Sequence, residues 1–255
     1  MTSSKTINSR SRFRGLSRVV LFNWPLYVVA IVVVLGLLVV ALLPNADVVI
    51  SRLALLILIA VSLQTVASLV ASHWVYDLSA LRDWSWLAKS VGDSRRIVLV
   101  HAGYDETGGE LASIFPASEI LTVDFYSALE RREPSIVRAQ KSFPSDVVPV
   151  ANSLSNWPVP SDSIDLVLVA FAAHEVRDHE KRVVLFKEIR RVLNVTGHLI
   201  LVEHVRDRAN FLAYGVGAFH FLPNADWIRC TEAAELLLQT QFNITPFVRV
   251  FELCR

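Results

Sequence analysis

A histidine, glycines and acids crowd the segment HAGYDETGGEL (101–111), directly after the apolar run Ile97 to Val100. Gly103, Gly108 and Gly109 would let the backbone turn tightly and approach a bound molecule. Two phosphate chemistries fail on spacing. A phosphate-gripping loop needs Lys and then Ser or Thr after its last glycine, whereas Gly108 is followed by Gly109 and Glu110. The dinucleotide fingerprint GxGxxG is also missing, and Asp105 and Glu106 would repel a pyrophosphate, which argues against NAD or ATP. Asp124 ends the next apolar run about 20 residues further on, where an acid can bind both ribose hydroxyls of an adenosine moiety. An acid in that place can instead cap the following helix. In this register ribose binding is the stronger reading.

Proton transfer would fall to His101, His174, His204 or Tyr104, each of which could equally be an ordinary surface group. Cys230 and Cys254 make no disulfide framework and lack metal-ligand spacing, so no metal site is expected.

The elements that must position these groups alternate from Arg95 onward. Apolar runs at Ile97–Val100, in EILTVDFY, at Val147–Val150, at Leu166–Val169 and in HLILVEH read as buried strands. Between them lie the short helix ELASIFP, a polar helix in SALERREPSIVRAQK interrupted at Pro134, and the amphipathic helix HEKRVVLFKEIRRVL. A helix near Thr231–Gln239 and a last strand over Thr245–Leu253 complete the tail. Continuous apolar strands between helices mean a parallel sheet covered on both faces. Ligands of such sheets bind beyond the carboxyl ends of the strands, at the topological switch point.

The composition demands a second part. The 255 residues are 53% apolar and only 19% charged, and the net charge of +1 removes bulk attraction to nucleic acid as a theme. Residues 19–46 and 53–76 carry no formal charge. Each stretch is long enough to cross a bilayer at about 1.5 Å per residue. Spans over 19–43 and 53–72 therefore form a transmembrane hairpin, turned at Pro44-Asn45. Lys5, Arg10, Arg12, Arg14 and Arg18 before it, with Arg82, Lys89, Arg95 and Arg96 after it, place both termini on the cytoplasmic side of a cell inner membrane. Four segments are expected: a basic stretch 1–18, the hairpin 19–72, an interfacial amphipathic connector 73–94, and a domain 95–255. The apolar stretch GVGAFHFLPNADW (215–227) reads as a lid, a membrane-dipping loop or plain packing.

From Arg95 onward the chain resembles the class I S-adenosylmethionine-dependent methyltransferases, in particular the branch of quinone-biosynthesis and small-molecule enzymes. The stretches that carry the resemblance are IVLVHAGYDETGGELA, ILTVDFY, NSLSNWPVPSDSIDLVLVAFAAHEV and LFKEIRRVLNVTGHLILVEHV. It implies a Rossmann-like, doubly wound, mostly parallel α/β sheet behind the transmembrane hairpin, with S-adenosylmethionine as cofactor. Gly103 matches the first glycine of that family's cofactor loop, with His101 beside the methionine end. Asp124 matches its ribose acid and Phe125 the neighbour that flanks adenine. Ser153, or Asn152 after a shift of one, takes the place of its adenine-binding acid, with Leu154 adjacent. Phe171 matches the border of the sulfonium, and His174 a histidine near the substrate mouth, the foremost candidate for a base. The chain departs from the pattern at Asp105 and Thr107, which replace glycines; Asp105 would then accept hydrogen bonds from the cofactor's ammonium group.

The resemblance implies methyl transfer, and the membrane hairpin points to a hydrophobic small molecule, lipid or quinone-like acceptor. A catalytically silent module of the same fold, tethered to the membrane as a binding or assembly factor, is the alternative of a different class.

Overall fold

A computed structural model describes residues 12–255, so Lys5 and Arg10 lie outside the described residues. The chain divides into two compact units, with the boundary between Arg82 and Asp83.

The first unit is helical. Helix α1 (Arg14–Phe22) stops at Asn23, and α2 (Trp24–Leu42) starts at once with Pro25 in its first turn. The charge-free stretch is thus broken where Asn23 donates its side-chain amide to the Val19 carbonyl at 3.0 Å. Proline needs no donor in a first turn, which is why α2 begins there. Helix α3 (Val48–His73) is capped by Asp47, whose carboxylate accepts from Val49 N at 2.8 Å and Ile50 N at 3.3 Å. With 19 and 26 residues, α2 and α3 extend about 28 and 39 Å. They pack on each other, yet large apolar side chains such as Leu42 and Leu63 stay 71% and 65% exposed.

The connector is not one amphipathic helix. A π turn (Trp74–Leu78), a 3-10 turn (Ala80–Arg82) and a short α4 (Leu87–Val91) take its place. Asp77 explains the first break. Only 3% exposed, it accepts from Gly15 N at 2.7 Å and Leu16 N at 2.9 Å, and pairs with His73 Nδ1 at 2.9 Å. A carboxylate from the end of α3 thereby serves the open N–H groups of α1.

The second unit is a six-stranded sheet. Strands β1 (Arg96–His101), β2 (Glu119–Asp124), β3 (Ile164–Ala170), β4 (Leu193–His204), β5 (Leu237–Thr245) and β6 (Val248–Cys254) lie in the order β2-β1-β3-β4-β6-β5. The pairs β1–β2, β1–β3 and β3–β4 are parallel, and β6 runs antiparallel to both β4 and β5. Ile97–Val100 and Leu166–Val169 are wholly buried because helices cover both faces. Helices α5 (Gly108–Ile114), α6 (Pro134–Ser142), α7 (His179–Val192), α8 (Arg208–Tyr214) and α9 (Asn224–Ala233) complete the unit. This is the expected Rossmann-like arrangement, and the chain reverses sides of the sheet between β1 and β3.

Three expected elements differ. Val147–Val150 is no regular strand: Pro149 has no N–H to give, and Val148 is 86% exposed. Only Val150 N to the Thr122 carbonyl (2.8 Å) and Asp124 N to the Ala151 carbonyl (3.1 Å) tie this stretch to β2. Pro134 begins α6 rather than interrupting a helix. In the tail, α9 ends at Ala233 and Glu235 takes a left-handed conformation (φ +57°), so Leu237 and Leu238, expected in a helix, enter β5 instead.

Candidate active site

The carboxyl ends of β1, β2, β3 and β4 gather the chemistry-bearing residues, as the switch-point rule requires. Gly103 follows β1 at φ +82°, and a β-carbon there would lie 2.7 Å from the Tyr126 ring. Only glycine fits this turn. Asp124, at the end of β2, holds it: Oδ1 accepts from Gly103 N at 2.8 Å and from Tyr126 N at 2.9 Å. His101 Nδ1 is 3.8 Å from the same oxygen, too far for a hydrogen bond, and has no other partner though buried. A buried nitrogen without a partner costs stability unless a bound molecule satisfies it. The cradle of Gly103, Asp124 and His101 therefore fits a polar ligand such as an adenosine-bearing cofactor.

The other expected contacts separate into those near this cradle and those committed elsewhere. Asn152 is exposed and Ser153 and Leu154 half-buried, on the loop that leaves Ala151 beside Asp124. Ser153 bonds within that loop, Oγ to the Ser155 carbonyl at 2.5 Å. The loop is fastened from behind: Glu188 Oε1 accepts from Trp157 N at 2.7 Å, and Arg191 donates to the Trp157 and Val159 carbonyls at 3.1 and 3.0 Å. The Glu188 carboxyl is held below its usual range, because Arg191 and the backbone bonds outweigh burial, which by itself would raise it. Phe125 does not flank the cradle. Its ring is wholly buried in the hydrophobic core, and the next residue, Tyr126, packs against Gly103 instead.

Asp105 has a local task. Its Oδ1 accepts from Thr107 N at 2.7 Å and Gly108 N at 2.8 Å, which serves the open amino end of α5.

Phe171 directly follows β3 in the left-handed region at φ +50°, a strained place for a bulky residue. The Val202 carbonyl fixes it through the Phe171 N–H at 2.9 Å, and its ring lies 5.1 Å from that of His204. Strain of this kind concentrates at functional sites. His204 is itself buried, with Nδ1 on the Phe247 carbonyl at 2.8 Å. Burial is the main reason its pKa falls to about 4; the charge of His174 adds to that, while the bond to Phe247 opposes it. His204 is thus a neutral imidazole.

His174 stands in a 3-10 turn (Ala173–Glu175) just past Phe171, and both its ring nitrogens are engaged. Nδ1 lies 2.7 Å from Glu203 Oε2 and Nε2 lies 3.2 Å from Glu175 Oε1. Burial works against protonation, but the Glu203 charge and the two carboxylate hydrogen bonds win, and the pKa rises to about 10. Glu175 is pushed well below the usual carboxylate range: burial opposes this, but its bonds to His174 and His220 prevail. Held as an imidazolium between two carboxylates, His174 has no open nitrogen with which to take a proton from an acceptor. Glu175, Glu203 and His220 were missing from the sequence reading. A glutamate closing the apolar run of β4 was the one available signal, since Glu203 is wholly buried.

Residues 108–201 match the model of a family described as methyltransferase domain. None of the curated proteins compared matches the chain. Among solved structures, the chain is similar to a SAM-dependent methyltransferase from Aquifex aeolicus, with 14% identity over 66% of this chain and 86% of that one and a TM-score of 0.48. It is also similar to the pyocyanin biosynthetic protein PhzM, with 12% identity over 68% of this chain, a TM-score of 0.48, and 54% of PhzM's length spanned. The YcgJ protein of Bacillus subtilis is 22% identical over 64% of this chain and 72% of its own, with a TM-score of 0.44. The family match falls on the sheet-bearing unit and supports a methyltransferase domain there.

Proposed function

We propose that the chain is a membrane-anchored, S-adenosylmethionine-dependent methyltransferase acting on a hydrophobic small molecule, lipid or quinone-like acceptor. The observation that carries the cofactor half of this reading is the Asp124 carboxylate, bonded to Gly103 N at 2.8 Å beside the unpartnered His101 nitrogen. Asp124 would hold the ribose, Gly103 would admit the cofactor backbone-close, and Asn152, Ser153 and Leu154 would border the adenine. Phe171 would border the sulfonium. When bound, S-adenosylmethionine supplies an electrophilic methyl group that passes by in-line displacement once an acceptor lies about 3–3.5 Å away. The protein has then to position the partners and exclude water, so a nucleophilic triad is not needed.

Two features support a membrane-dissolved acceptor. Helices α2 and α3 are long and apolar enough to cross a bilayer and leave their side chains exposed. On the catalytic unit, Phe211, Leu212, Val216 and Phe219 are exposed together with Arg206 and Arg208, a mixture that suits a lipid headgroup boundary. Anchoring raises the effective concentration towards such an acceptor. Calorimetry of the detergent-solubilised full chain with S-adenosylmethionine and S-adenosylhomocysteine tests the cofactor. Transfer of a radiolabelled methyl group into a total lipid extract tests the acceptor class. Cofactor binding without transfer to lipid or quinone extracts would sink the acceptor half and leave the tethered binding module.

A further inference from the structure

His174, Glu175 and His220 bring three metal-capable donor atoms to within 4.8 Å of one another. We propose that these three side chains bind a divalent transition metal ion of zinc-like chemistry, with Glu203 orienting His174 from behind. The inference does not depend on methyl transfer.

The two spacings about Glu175 match a coordination sphere, and the remaining donor pair lies within 4.8 Å. His174 Nε2 and His220 Nε2 lie 3.2 and 3.4 Å from the same oxygen, Glu175 Oε1. Donors on a tetrahedral zinc ion, with bonds of about 2.0–2.2 Å, are about 3.3–3.5 Å apart. Two imidazoles and one carboxylate are a donor set that zinc accepts, and they leave a fourth position for water or an ionisable acceptor atom.

The surroundings are those of a metal histidine. Glu203 is wholly buried and takes both the Nδ1 side of the His174 ring (2.7 Å) and the His174 backbone N–H (3.3 Å). A carboxylate on the far nitrogen fixes the tautomer and directs Nε2 towards the ion. His220 is fixed by its backbone. Arg206 donates to the carbonyls on either side of it, to Phe219 at 3.0 Å and Phe221 at 2.8 Å.

A cation already leans on the cluster. The Arg177 guanidinium lies against the His220 ring, 2.6 Å from Nδ1 and 2.8 Å from Nε2, and Arg177 itself is exposed. Metal entry would release one proton from His174 Nε2 and swing Arg177 into solvent. The ion's double charge would then balance the two buried carboxylates. No local motif advertises this site, because His220 joins from a separate turn.

The test uses the full chain in detergent, stripped with chelator and titrated with Zn2+ against a chromophoric competitor. Co2+ absorption reads the coordination geometry. One Zn2+ per chain is expected, with Co2+ bands of tetrahedral type. His220→Ala, whose side chain is 35% exposed and so tolerates removal, should abolish both signals while the circular dichroism spectrum stays unchanged. Glu203→Gln should weaken binding by about 10–100-fold. Arg177→Ala should tighten it, and Cys254→Ser should change nothing. A folded wild-type chain that takes up no Zn2+, or uptake that His220→Ala leaves intact, would overturn the proposal in favour of a metal-free ion-pair chain.

Discussion

Asp124 and Gly103 are joined by a 2.8 Å hydrogen bond that ties the carboxyl end of one parallel strand to the turn leaving its neighbour. One carboxylate therefore builds the turn, and under the proposed function the same group would bind the ribose. Removing it altogether would disturb the loop as well as the ligand. Asp124→Asn is the more informative change, because a side-chain oxygen remains to accept from Gly103 and Tyr126.

Gly103→Ala should lower stability by about 1–3 kcal/mol, the usual cost of a strained backbone conformation. The new methyl group would approach the Tyr126 ring at 2.7 Å and Gln140 Nε2 at 2.8 Å. Urea unfolding followed by tryptophan fluorescence measures this. An unchanged midpoint would show that the turn can relax without glycine.

Asp105→Gly restores a flexible loop residue but removes the acceptor for Thr107 N and Gly108 N. It should destabilise the catalytic unit by about 0.5–2 kcal/mol, as loss of a helix cap does. Asp105→Asn, which keeps an acceptor oxygen, should stay within a few tenths of wild type. Equal losses for both would mean that the carboxylate charge, directed at another group, is what counts.

His204 should make the catalytic unit sensitive to acid. Its folded value, about 4, lies below the ordinary 6.5. The unfolded chain therefore takes up the proton first as pH falls. The contribution is present in full above about 6.5 and is lost as pH drops through 4. His174, whose charge faces His204, and Asp207 act on it with opposite signs. His204→Phe should flatten the difference in unfolding midpoint between pH 7 and pH 4.5, since Asn210 Nδ2 still serves the Phe247 carbonyl at 3.0 Å. A mutant that keeps the wild-type slope would assign the acid sensitivity elsewhere.

The sheet was legible wherever burial on both faces forces an unbroken apolar run, as in Ile97–Val100 and Leu166–Val169. The turn at Gly103 and the acid at Asp124 were legible because each stands at the carboxyl end of an apolar strand. Legibility failed where local pattern and tertiary contact diverge. Val147–Val150 looks like a strand until Pro149 denies it a ladder bond. The connector after residue 72 looks like one helix, but the buried Asp77 turns it towards the amino end of α1. The resemblance sets Phe125 beside the adenine, whereas its ring is buried in the core and Tyr126 is the ring against Gly103. Glu203 reaches His174 from β4 and His220 reaches Glu175 from a turn near residue 220, and no spacing rule along the chain brings them together.

Reporter fusions test the membrane arrangement. A periplasmic-type reporter inserted near Asn45 should be active and one fused after Arg255 inactive, as the excess of Arg and Lys outside the hairpin requires. The reverse pattern would place the catalytic unit on the exported side.

The most direct test of the central claim is calorimetric titration of the solubilised full chain with S-adenosylhomocysteine, wild type beside Asp124→Asn. The account predicts saturable binding at one site per chain. It also predicts a loss of about one to two decades in affinity for the variant, the worth of a charge-assisted hydrogen bond of about 1.5–3 kcal/mol. Wild-type and variant titrations that coincide, or a correctly folded wild type that binds nothing, would contradict it.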